Sequence, residues 1–276
     1  MDCSANQSNR LAQLAKAFGG VLSLKRFKNT TIVFTDRKVI KNFVDKKSNL
    51  YSHRPQSIVS HMITNSDHLL VMQYSDKWRA LRKTIHQHFM ESKCEKEHWI
   101  LQEAEANQMM FDYMTKPEDH MMHPKRFSNS ITNSLVFGIR SKSTNDDYVQ
   151  RLYHLMEKWS LIQELGSTPP VDDFSILKYL PQWMTGNWKY RAEECRDLMK
   201  SLYKDVLDQV RERRNNGIER NSLMDQVLAN QEKSPLTESE LQFLGGVLME
   251  GGSDTSSALI LTIVQALSKF PEVAIK

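Results

Sequence analysis

Asp254 and Thr255, a carboxylate beside a hydroxyl, follow the pair Gly251-Gly252 inside the stretch GGVLMEGGSDTSS, residues 245–257. An acid and an alcohol are side chains capable of general acid–base chemistry. Each interior glycine costs a helix roughly 1 kcal/mol relative to alanine, so four in one stretch need a chemical or a packing reason. The chemical reason is close approach, because main chain without a Cβ can lie against a flat ligand. The packing reason is tight helix crossing, with Ser and Thr hydroxyls bonding back to the carbonyl four residues earlier. On these residues alone both stay open.

Trp78, Arg82 and His86 form a second constellation. Steps of four residues put all three on one helical face. An indole N–H and a guanidinium are both donors, and Arg grips carboxylates in a bidentate, charge-assisted way. A basic amphipathic surface helix with a core tryptophan reads the same way. Lys77, Arg79 and Lys83 fall on other sides of that helix. The pairs His86/His88 and His120/His123 lie far apart and lack the His-Glu-x-x-His arrangement, which disfavours a metal centre. Cys3, Cys94 and Cys195 have neither metal-ligand nor disulfide spacing. Nucleophile elbow, phosphate loop and dinucleotide fingerprint are absent.

The elements that position these groups are mostly helical. Residues 20–35 alternate and are β-branched, which predicts a two-stranded hairpin about Lys28-Asn29. Asp36 is placed to cap a helix through about Lys47, with Val39, Ile40, Phe43 and Val44 as its apolar stripe. Residues 56–73 read as loop with at most a short helix. Helical patterns follow over about 75–90, 95–115, 125–138, 147–165 and 188–213, broken at Pro117, Pro169-Pro170, Pro181 and Asn215-Asn216-Gly217. Thr237 and Glu240 make a capping box for a last helix that Pro271 stops, a span of roughly 50 Å. Its stretch from Ala258 to Leu267 is apolar on nearly every side, so it is expected to run through the middle of a domain. The fold class is therefore mainly α with a small N-terminal β-hairpin. The methionines clustered at 109–122 are expected to fill irregular core space.

Composition sets the bounds. The chain has 276 residues, is 40% hydrophobic and 25% charged, and carries a net charge of +4 with both signs interleaved. That is globular and not disordered, with no basic patch of the kind nucleic acid requires. No run of about 18 apolar residues exists and the start, MDCSANQSNR, has no targeting signature, so the chain as written is not expected to span a membrane.

Taken together, the motifs are similar to those of the haem-thiolate monooxygenases, the cytochrome P-450 family. Residues Gly251 to Ser256 resemble the Ala/Gly-Gly-x-Asp/Glu-Thr-Thr/Ser signature of that family's long central helix, and Trp78 with Arg82 resembles its Trp-x-x-x-Arg helix. Arg54-Pro55, Arg126-Phe127-Ser128, Phe137-Gly138 and Phe270-Pro271-Glu272 follow in matching order, most closely the fungal microsomal branch. The resemblance implies haem b as cofactor. Gly251 and Gly252 would leave room on its distal face, Asp254 and Thr255 would manage protons, and Trp78, Arg82 and His86 would serve the propionates. It further implies a lipophilic substrate, electrons from NADPH through a flavoprotein reductase docked on the Lys77/Arg79/Lys83 side, and an endoplasmic reticulum membrane for a full-length member.

The family's Glu-x-x-Arg pair, its meander and the Gly-rich loop with the iron-ligating cysteine do not occur within residues 1–276, and neither do its N-terminal anchor and proline hinge. A ligating thiolate needs glycines and backbone donors around it, which none of the three cysteines has. The expectation is a single partial domain over 1–276, an incomplete cytochrome P-450 fold that is inactive alone and cytoplasmic without an anchor. Two alternatives stand beside it: a remnant or regulatory fragment, and an unrelated all-α binding protein whose glycines serve packing.

Overall fold

β-branched residues build a two-stranded sheet. β1 (Val21–Arg26) pairs antiparallel with β2 (Asn29–Phe34), from Val21 opposite Phe34 to Arg26 opposite Asn29. The computed structural model describes residues 3–26 and 29–274, so the turn expected about Lys28-Asn29 lies partly outside the described residues. Before the hairpin stands α1 (Cys3–Phe18), a helix that its polar sequence did not announce. Asp36 caps α2 (Arg37–Ile40), accepting from the amides of Lys38 and Val39 at 2.7 and 3.0 Å. The helix expected to about Lys47 is wound in two pieces, α2 and a wider turn over Lys41–Asp45, with the short α3 (Ser48–Tyr51) beyond it, and Phe43 stacks on Phe34 of the hairpin at 5.5 Å.

Within 56–73 only α4 (Ile58–Thr64) is regular. Then come α5 (Asp76–His88), the short α6 (Glu91–Lys93), a wide turn over Cys94–His98 and α7 (Trp99–Thr115). α8 (His123–Phe137) ends at Gly138, whose φ of +69° closes the helix in the left-handed way glycine allows. α9 (Asp147–Gln163) and α10 (Trp188–Asn215) follow. α11 (Leu223–Ala229) was not expected, although its capping box, Ser222 with Asp225, is written in the sequence. α12 (Glu238–Lys269) starts at the expected box of Thr237 and Glu240, and Pro271 opens α13 (Pro271–Ala274).

α12 lies along α8 and crosses α10, which in turn packs on α9 and α4. Met199, Leu202, Tyr203 and Val206 of α10 meet Phe243, Leu244 and Met249 of α12 in a fully buried core. Only the first half of α12 is inside. The expectation that 258–267 runs through the middle is corrected: Leu259 is 62% exposed and Ile263 49%, because no described element covers that face. The methionine expectation fails likewise, since Met110, Met114 and Met121 are exposed along α7 and the turn after it. Buried ionic pairs tie α7 to α8. Arg126 of α8 donates to Glu105 of α7 and forms an ion pair with Asp112 of the same helix, and Glu105 also receives Arg140.

Candidate functional site

Ser75 starts α5 by accepting the Trp78 amide at 3.2 Å, which aims the first turn's side chains at the chain segment 69–72. The Trp78 indole donates to the Leu69 carbonyl at 3.3 Å, and the Arg82 guanidinium lies 5.4 Å from the indole ring. Both line a cavity of about 400 Å³. Leu69, Leu70 and Met72 form one wall and Val247 with Leu248 of α12 another. Trp78 and Arg82 of α5 thus share one space with Val247 and Leu248 of α12, the turn before Gly251 and Gly252; Gly251, Gly252, Asp254 and Thr255 are not among its lining residues.

His53 and Arg54 also line this cavity. Gln73 fixes them: its amide donates to the Arg54 carbonyl at 2.7 Å and its Oε1 sits 3.1 Å from His53 Nδ1. His53 meets Tyr74 edge-on, and Tyr74 packs on Trp78. In the sequence Arg54 stands out only as part of the Arg54-Pro55 match. Its neighbourhood to Arg82 comes from the fold and not from spacing. Neither guanidinium has an ion-pair partner among the described residues. His86 is exposed and does not line this cavity; it shares with Trp78 and Arg82 an adjoining hollow of about 480 Å³.

The four glycines of α12 divide into two kinds. A Cβ on Gly245 would meet the Phe137 ring at 2.6 Å, on Gly246 the Tyr203 ring at 2.5 Å and on Gly252 the Thr132 hydroxyl at 2.5 Å. Those three sit where helices cross, as the packing reading requires. Gly251 differs, since a Cβ there would meet nothing within 4 Å. It lies one turn beyond Val247, on the side of the helix that borders the cavity. Thr255, another turn on, is exposed and donates to the Gly251 carbonyl at 2.6 Å, the back-bond expected of a helical threonine. α12 continues regularly past Gly252 with no local widening. The Asp254 carboxylate is exposed and has no hydrogen-bond or ion-pair partner among the described residues.

Lys77 is not a free docking charge. It bridges Asp67 at 2.8 Å and the capping-box Glu240 at 2.6 Å, tying the start of α5 to the start of α12. Its pKa is raised by those two carboxylates, against the pull of burial. Arg79 and Lys83 remain exposed with no ion pair among the described residues. The described residues hold no group of three His, Cys, Asp or Glu able to bind a metal. Cys94 sits 3.6 Å from His98 Nδ1, and the buried Cys195 thiol is pushed up to about 12 by burial and then by the nearby Glu250 charge. Neither lines the cavity.

A profile of the Cytochrome P450 family matches residues 2–276. The chain is 71% identical to the cytochrome P450 monooxygenase acuD of Aspergillus aculeatus, over 94% of this chain and 49% of that protein. It is 66% identical to patI of Penicillium expansum, over 97% and 51% respectively. A zebrafish cytochrome P450 structure with progesterone matches with a TM-score of 0.74 at 17% identity, covering 96% of this chain and 61% of that one, a likeness of fold. The chain spans about half the length of the curated relatives it matches. With the family match running over residues 2–276 and relatives of this identity along nearly the whole chain, the chain belongs to the cytochrome P450 family.

Proposed function

We propose that this chain is the N-terminal portion of a haem-dependent monooxygenase that inserts one oxygen atom of O2 into a lipophilic substrate, and that 1–276 forms one partial domain. The observation that carries the reading is the cavity in which unpaired Arg82 and Arg54 flank an apolar space against the Gly251 side of α12. An unpaired cation pair beside apolar walls fits a flat, apolar molecule with two carboxylates, which is the donor chemistry haem asks for. Haem, when bound, supplies the activation of dioxygen, which side chains alone cannot perform.

The chain's own residues divide the remaining work. Arg82 and Arg54 bind carboxylate, with Trp78 stacking under Arg82 to hold the guanidinium in place. His86 serves the same end from the adjoining hollow. Leu69, Leu70, Val247 and Leu248 exclude water and favour an apolar substrate. Gly251 leaves the helix surface low, while Gly252 beside it lets α12 seat against Thr132 of α8. Because the Thr255 hydroxyl gives its proton to the Gly251 carbonyl, its oxygen is left to accept from a water and orient it. Asp254, open to solvent, refills that water's protons. Electrons come from NADPH through a flavoprotein reductase, for which Arg79 and Lys83 offer basic surface. A full-length form resides at the endoplasmic reticulum membrane; among the described residues no helix is long and apolar enough to cross a membrane. With neither Cys94 nor Cys195 at the cavity, 1–276 alone is inactive.

The test joins residues 1–276 to the C-terminal half of the Aspergillus aculeatus relative. The joined protein, reduced under carbon monoxide, is expected to show a thiolate-type Soret band, while 1–276 with added haem shows none. Thr255→Val in the joined protein should divert about tenfold more reducing equivalents to hydrogen peroxide, through loss of the ordered water. Unchanged coupling removes Thr255 from the proton route.

A further inference from the structure

Glu250, the residue before Gly251, is a buried carboxylate with no Lys or Arg ion pair among the described residues. Its Oε2 lies 3.0 Å from Nε2 of His68, which is itself 1% exposed. Its Oε1 accepts from the hydroxyl of Tyr203 on α10. The other ring nitrogen of His68, Nδ1, accepts the Leu70 amide at 3.2 Å, so the ring proton sits on Nε2 and is donated to Glu250. Trp159 stacks on the imidazole at 5.5 Å and Phe243 meets it edge-on, leaving no room to turn. Burial and then the charge of Glu250 hold the Tyr203 phenol well above its usual range, so it stays a donor.

Such an arrangement is expensive to build and exacting in geometry. A buried carboxylate supported only by two neutral donors is tolerated when both bonds are made and penalised heavily when one is lost. Beyond its own helix, its side chain reaches the cavity through His68, which leads directly into the segment 69–72. Leu69, Leu70 and Met72 of that segment wall the cavity, and the Trp78 indole holds the Leu69 carbonyl from the other side. We propose that Glu250 is a positioning residue: through His68 it sets the height of the 69–72 wall over α12, and so the shape of the space offered to substrate. The proposal rests on the cavity being the substrate and haem site, but the linkage can be tested without either.

In the unmodified chain at pH 7, nitrogen-15 spectra of the His68 ring should report a neutral imidazole with its proton on Nε2. Glu250→Gln offers the ring an amide that can be donor or acceptor. It should therefore speed hydrogen exchange of the 69–72 amides by about tenfold or more, while amides of α8 far from the bridge keep their rates. Tyr203→Phe removes one donor and should give a smaller change at the same amides. His68→Gln, which keeps a donor toward Glu250, should restore part of the protection that His68→Leu loses. A His68 ring protonated on Nδ1, or 69–72 amides indifferent to Glu250→Gln in a folded chain, overturns the proposal. If the variants do not fold, the tautomer in the unmodified chain decides. Failure of haem binding in the joined protein, with these results intact, would instead count against the functional reading.

Discussion

At the scale of the residue, glycines that look alike in the sequence do different jobs. Gly246 lies under the Tyr203 ring and Gly245 under Phe137, so an added methyl there must displace an aromatic ring. Gly246→Ala is expected to lower stability by about 1–3 kcal/mol, the usual cost of overpacking, read as a drop in the thermal midpoint. Gly251→Ala meets empty space and gains helix propensity, so it should leave stability unchanged or raise it by up to about 1 kcal/mol. Equal losses at both positions would mean that Gly251 is packed and not open. The sequence carried the Trp78/Arg82 pair and the Asp254/Thr255 pair, because both depend on spacing within one helix. It could not carry Arg54 or His53 as cavity residues, nor the bond of His68 to Glu250, which joins positions 182 apart. Pairing at that distance is a product of tertiary packing, and no local pattern announces it.

Among the elements, those with chemical punctuation were the legible ones. Asp36, Thr237 with Glu240, Gly138 and Pro271 each mark a boundary that the fold respects, since caps and stops act through local hydrogen bonds. α1 escaped because it is largely polar, and α11 because seven residues leave too short a period to read. One junction of elements has a pH signature. His88 at the end of α5 and His98 before α7 are both buried, their rings 5.5 Å apart. Burial lowers the pKa of each below the ordinary 6.5, and for His88 the neighbouring His98 and Lys93 add to the effect. As pH falls through 6.5 the unfolded chain takes up protons that the folded chain refuses, so stability declines from there downward. The thermal midpoint should thus fall between pH 7 and pH 5, and His88→Leu should flatten that slope. A slope unaffected by His88→Leu would place the titration elsewhere.

Over the whole molecule, apolar surface is left open on two helices. Leu259, Ile263 and Leu267 project from the second half of α12, and Met110, Phe111 and Met114 from α7. Faces of this extent drive association when they meet water. We expect 1–276 to self-associate with rising concentration in sedimentation experiments, and Leu259→Lys with Ile263→Glu to shift it toward monomer. A strictly monomeric parent would contradict this.

The most direct measurement is the haem content and affinity of residues 1–276 joined to the C-terminal half of the Aspergillus aculeatus relative, compared between Arg82→Ala, Arg54→Ala and Lys83→Ala. Arg82→Ala and Arg54→Ala should each weaken haem retention by about tenfold, the value of one charge-assisted carboxylate contact, while Lys83→Ala, whose side chain is absent from the cavity, keeps it. Full haem retention in both arginine variants would mean that the carboxylates lie elsewhere and that this cavity is not the haem's seat.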